Sequence, residues 1–163
     1  MPSAIRPTST GMPWHGRAAD DERGFTMVEL LITVLVIGIL IAIGLPTFLG
    51  ARSRAQDRHT QEDLRVAFTA EQAYYADTVT YTANGALMTA IEPALAYVDS
   101  DTPVAIGSVY LHYHPGTNEI FVSGLSASGM CFYLRSAGNG TVQYARSLAP
   151  CGIADTRTFG PSW

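Results

Sequence analysis

A few residues in this 163-residue chain have the types and spacing that chemistry needs. Glu29 is the only formally charged side chain between Phe25 and Gly50, at the front edge of the longest apolar run. A lone carboxylate there invites an ionic partner, because an unpaired charge in an apolar medium is expensive and a paired one much less so. Cys131 and Cys151 can bridge; the loop closed is about 20 residues, contributing roughly 3 kcal/mol. The alternative is two buried free thiols. His112 and His114 lie two apart in "SVYLHYH" and so face one side of a strand. No further His, Cys or clustered carboxylate completes a ligand set, so no metal site is expected. Asp99 and Asp101 could help hold calcium, but a solvated turn is the plainer reading. No Ser/His/Asp or Cys/His arrangement, phosphate-binding glycine loop or carboxylate pair stands out. The chain is therefore expected to have no catalytic residues and no cofactor, and not to be an enzyme.

The element that positions Glu29 is a membrane-spanning segment. The 26 residues from Phe25 to Gly50 include sixteen Leu, Ile, Val or Phe. A bilayer core needs roughly 20 apolar helical residues. At about -0.3 to -0.6 kcal/mol each, those sixteen favour insertion by roughly 5–10 kcal/mol. One carboxylate near the helix end does not reverse that. The preceding "MPSAIRPTSTGMPWHGRAADDERG" is polar and rich in Pro and Gly, unlike a signal peptide, which puts its apolar stretch before a small-residue cut. Three Arg lie in this leader, and Arg52, Arg54 and Arg58 lie just past the span, so the positive-inside count is balanced. Both cysteines follow the span, and a disulfide needs an oxidising compartment. That places the N-terminus in the cytoplasm and the C-terminal part outside. The net charge of -4, with no basic cluster, argues against nucleic-acid binding.

Beyond Gly50, Leu64, Ala67, Phe68, Ala70, Tyr74 and Tyr75 recur at helical spacing between charged residues. One nearly continuous helix from about 25 to 76 is expected, about 78 Å long. Pro46 within it removes a backbone donor and should bend it or locally break it, and Gly38 and Gly44 weaken it further. Residues 77–107 read as a connecting loop with a short helix near 86–95. "SVYLHYH", "EIFVSGL", "MCFYLRS" and "TVQYARS" read as two hairpins of one antiparallel sheet of about four strands packed on the helix. The fold class is α+β. The aromatics Phe68, Tyr74, Tyr75 and Tyr81 read as core packing.

"RGFTMVELLITVLVIGILIAIGLP" resembles the N-terminal signature of type IV pilins and pseudopilins. It joins Gly24, Phe25, a Glu at the fifth mature position and about twenty apolar residues. Gly38 and Pro46 also fall where many bacterial pilins carry Gly and Pro. The resemblance covers the signature; the remainder matches in plan, including the C-terminal cysteine pair, which in type IV pilins commonly forms a displayed disulfide loop. It implies a pilin fold with three parts: a leader, 1–24, that is removed; an assembly helix, 25–50; and an extracytoplasmic head, 51–163. It implies cleavage after Gly24 and N-methylation of Phe25 by a prepilin peptidase. It implies polymerisation with copies of the same chain, in which Glu29 meets the N-terminal amine of a neighbour. The segment from Gly38 to Pro46 is where the helix would stretch or melt. The implied partners are that peptidase, an inner-membrane platform protein and an assembly ATPase. The implied locations are the bacterial inner membrane and then an extracellular filament for twitching motility, adhesion or DNA uptake. The alternatives are a pseudopilin of a type II secretion system and a membrane-tethered binding domain. A plain anchor needs neither the processing motif nor Glu29.

Overall fold

A computed structural model of the chain describes residues 24–99, 103, 105–136, 140–152 and 157–163. It divides into two units, one ending at Ala42 and one spanning Ile43–Trp163. Helix α1, Met27–Thr78, begins in the first and continues into the second. Its start is fixed by Thr26, whose hydroxyl accepts the Glu29 N–H at 3.1 Å. That bond satisfies one of the amides a helix leaves unpaired at its N-terminus. Its end is marked by Val79 at φ 61°, whose N–H donates to Tyr75 O at 2.8 Å.

The second unit is built on a five-stranded sheet in the order β1-β2-β3-β4-β5. These are Ala96–Asp99, Ser108–His114, Glu119–Leu125, Met130–Ser136 and Val142–Leu148. β2 to β5 are consecutive antiparallel neighbours, in the positions the apolar alternation predicts. The difference from expectation lies in the connection. Helix α2, Gly85–Ile91, is followed by β1, which pairs in parallel with β2 and makes the sheet five strands. Asn84 caps α2 by accepting the Ala86 and Leu87 amides at 3.0 and 3.2 Å. The Gly85 N–H donates to the Asp99 carboxylate, and a Cβ on Gly85 would lie 3.1 Å from that of Tyr97. Glycine therefore lets α2 sit tight against β1.

Period-2 alternation gives the sheet two apolar faces. Val109, Leu111, Ile120, Val122, Phe132 and Leu134 point to Leu64, Ala67, Phe68 and Ala70 of α1, with Tyr81 and Met88 closing the core. At about 1.5–3 kcal/mol per buried large apolar side chain, this interface dominates the head's stability. On the other face Phe121, Cys131, Tyr133 and Ala145 are covered by Cys151 and Phe159 of the tail. The tail then adds to the β5 edge, with Gly160 and Tyr144 exchanging two backbone bonds of 2.8 Å. It ends with Trp163 on the helix side, 4.5 Å from the Tyr144 ring, its indole N–H donating to Tyr133 O at 2.9 Å.

Candidate functional site: the N-terminal half of α1

The expected assembly residues Glu29, Gly38 and Pro46 lie on α1, and the expected processing residues just precede it. Gly24 and Phe25 precede α1 without regular structure, and Phe25 is 79% exposed. Every large apolar side chain from Phe25 to Leu49 is at least 49% exposed. α1 is the only described helix long and apolar enough to cross a membrane, with a mean hydropathy of 2.8 over its apolar window. A surface this apolar marks contact with lipid or protein. Glu29 is exposed in the first helical turn, where the helix dipole favours a negative charge.

Contrary to the expectation of a local break at Pro46, α1 is unbroken through Gly38, Gly44 and Pro46. Pro46 nevertheless offers no N–H, which removes one bond of the ladder. The Thr47 hydroxyl donates to Gly44 O at 2.8 Å, beside the gap. A Cβ on Gly38 or Gly44 would meet nothing within 4 Å. Packing among the described residues thus gives no reason for either glycine. Residues 1–23 of the expected 1–24 leader lie outside the described residues, as do Asp101 and residues 137–139.

In the head, Cys131 and Cys151 form a disulfide with Cα atoms 5.7 Å apart, tying β4 to the tail. The Tyr133 hydroxyl donates to Gly152 O at 3.1 Å alongside it. His112 and His114 converge, with Nε2 atoms 2.9 Å apart. Asp99 is occupied by the Gly85 amide. Among the described residues no group of three or more His, Cys, Asp or Glu is arranged to hold a metal.

Sequence reasoning missed three features. Asp57 on α1 accepts the Ser126 hydroxyl at 2.8 Å and also that of Ser128, pinning the β3–β4 turn to the helix. Glu71, two turns on from Leu64 on the buried stripe, is fully buried. Its Oε2 accepts the Thr82 amide at 3.2 Å, while Oε1 finds no hydrogen bond among the described residues. Burial pushes its pKa from 4.5 up to about 7, against the lowering effect of the Thr82 bond. The nearby Tyr97 is pushed up to about 12, first by burial and then by Glu92 and Glu71. The third feature is Trp163, which no local pattern announces. The spacing of Glu71 from Leu64, i to i+7, was the available signal for its burial.

Residues 20–45 match the family described as the prokaryotic N-terminal methylation motif. The chain is 38% identical over 136 residues to the type IV wide pilus major component PilA4 of Thermus thermophilus, covering 83% of this chain and 88% of that protein. It is 36% identical over 59 residues to the type IV major pilin protein PilA of Myxococcus xanthus, covering 36% of this chain and 27% of that one. A third match, 30% identical over 77 residues, is to type II secretion system core protein G of Escherichia coli, covering 47% of this chain and 53% of that protein.

Proposed function

The chain belongs to the type IV pilin family, a family of structural subunits, and on that premise we propose that it is a subunit of a type IV pilus. It enters the cytoplasmic membrane as a prepilin through α1, with its N-terminus inside and its head outside. A prepilin peptidase cuts after Gly24 and methylates the Phe25 amine. A platform protein and an assembly ATPase then drive α1 from lipid into a bundle of identical helices.

The observation that supports this reading is that every large apolar side chain from Phe25 to Leu49 is at least half exposed or nearly so, while the core of the second unit is filled by its own residues. Removing those side chains from lipid is favourable only when like helices replace it. Glu29 sets the register. Paired with the Phe25 amine of an adjacent copy, its charge is tolerated in the bundle. A subunit docked one step out leaves two charges unpaired in an apolar core. Gly38 to Pro46, already short of one backbone bond, is where α1 loosens as subunits pack. A filament reconstruction should show interrupted helix there; an intact helix through that segment removes this part of the proposal.

A pseudopilin is the second reading, supported by the match to protein G. The longer match to a pilus component and the Cys131–Cys151 loop favour the pilus. Mass spectrometry of sheared filaments separates the readings. A subunit starting at N-methyl-Phe25 in long filaments is the expected result. The same terminus confined to membranes favours the pseudopilin, and an uncut chain favours a tethered domain.

A further inference from the structure

Between α1 and β2, residues 80–99 carry α2 and β1, and their hold on the head is uneven. Just ahead of them Val79 stands at φ 61°, a left-handed conformation that a β-branched residue adopts only under strain. At their end β1 is a four-residue edge strand, mostly exposed and held to β2 by parallel pairing. Three contacts fasten the segment inward. The Tyr81 ring lies 4.6 Å from that of Tyr75, and its hydroxyl lies 3.2 Å from Ser136 Oγ. Met88 of α2 is fully buried. The Thr82 N–H donates to Glu71 Oε2 at 3.2 Å.

Only the last of these rests on a carboxyl group. Glu71 is fully buried, and its Oε1 finds no hydrogen bond among the described residues. The Tyr97 hydroxyl of β1 is likewise buried and unpartnered. Burial and the Thr82 amide are what act on Glu71, burial being the larger, and no cation contributes. The titratable side chains of the core on this side of the sheet are tyrosines, Tyr74 and Tyr75 on the same helix, then Tyr81, Tyr97, Tyr113 and Tyr144. Glu92, just past α2, acts on Tyr97 as Glu71 does and adds further negative charge. Arg65, the nearest cation along α1, stacks on Trp163 and pairs with Glu62.

We propose that residues 80–99 form a strap that protonated Glu71 holds against α1 and that ionised Glu71 releases. In the closed strap the neutral carboxyl needs no counter-charge and still accepts the Thr82 amide. The carboxylate needs water, which reaches it once Thr82 and Tyr97 lift away. Lifting also lets Val79 leave its left-handed conformation, so the strain at this hinge favours release. The strap carries the edge of the sheet with it. Parting β1 from β2 bares the backbone groups of residues 108–111, a strand edge open to pairing with another chain. The folded-state value of about 7, against an ordinary 4.5, sets the window: the strap is held below pH 4.5, loosens as pH rises towards 7 and changes no further above that.

The test is hydrogen–deuterium exchange of the full chain in detergent micelles, read by mass spectrometry as protection factors so that the intrinsic pH dependence of exchange drops out. Between pH 5.5 and 8, protection over residues 80–99 should fall by about 25-fold, the ratio set by values of 4.5 with the strap open and about 7 with it closed. At pH 8 it should lie at least about tenfold below that of β3 and β4, because the strap opens while the sheet stays folded. Glu71→Gln keeps an acceptor for Thr82, and its protection over 80–99 should not follow pH. The proposal is overturned if wild-type protection over 80–99 is equal at the two pH values, or if it matches that of β3 and β4, since exchange then goes through unfolding of the whole head. It is also overturned if folded Glu71→Gln keeps the wild-type pH dependence. The first two readings need no variant, so they decide the matter even if Glu71→Gln does not fold.

Discussion

Glu71 makes the stability of the head depend on pH in a direction opposite to that of most carboxylates. Its folded-state pKa of about 7 lies above its ordinary value of 4.5. Below pH 4.5 the side chain is neutral in both folded and unfolded chains, and its burial carries no ionic penalty. Above pH 7 the unfolded chain holds a solvated carboxylate and the folded one must hold a buried carboxylate, with a single amide bond from Thr82. The difference of about 2.5 pKa units corresponds to about 3 kcal/mol lost as pH rises from about 4.5 to 7. For a head of this size that is about 10 °C in melting temperature. Glu71→Gln keeps an oxygen to accept the Thr82 amide and removes the titration. The assay is urea unfolding of the full chain in micelles, followed by near-ultraviolet circular dichroism, from pH 4 to 9. The gap between variant and wild type isolates Glu71 from other titrating groups; it should widen in the variant's favour as pH rises from about 4.5 to 7 and level off above that. Parallel curves for the two proteins across that window would refute the reasoning.

Three further outcomes are expected. Trp163→Ala should destabilise the head by about 2 kcal/mol, since the ring packs on Tyr144, Phe132 and the Arg65 guanidinium; denaturant titration measures it. Gly124→Ala should cost about 1–3 kcal/mol, because the new Cβ would lie 3.2 Å from Thr60 Cγ2 and 3.3 Å from Leu64 Cδ2. Adding Thr60→Ser, which deletes that methyl, should recover part of the loss, and a double-mutant cycle reads the coupling. Glu29→Ala should be cut and membrane-inserted normally yet give few filaments, as scored by shearing and immunoblot; wild-type yield from this variant defeats the pairing.

The readable parts of the fold were those whose cause is local. The four strands from Ser108 to Leu148 announce themselves because alternate residues bury on each side, and turn residues such as Pro115 and Gly116 separate them. The α1 start was readable from the apolar run; the Thr26 cap emerged from the structure. β1 was not, because "AYVD" is short and mostly exposed, held by parallel backbone pairing to β2 and by α2 beside it. Of the candidate site residues, Glu29, Gly38 and Pro46 stand out as departures from a uniform apolar helix, whereas Gly24 and Phe25 are marked only by the resemblance to the pilin signature. The closeness of His112 and His114 was half visible: strand geometry puts them on one face, and only Phe121 and Phe159 fix their rings together.

The sequence by itself determined a long helix whose first half is apolar on every side, a carboxylate and three helix-weakening residues within it, and strands in order. Those follow from transfer free energies and backbone preferences that act over a few residues. The tertiary structure alone decided that Glu71 is sealed under the Thr82 loop, that Asp57 holds a turn some seventy residues away, and that Trp163 packs against the core. Such contacts are selected by the collapse of the whole head around one interface, and no window of neighbouring residues encodes which distant partner arrives.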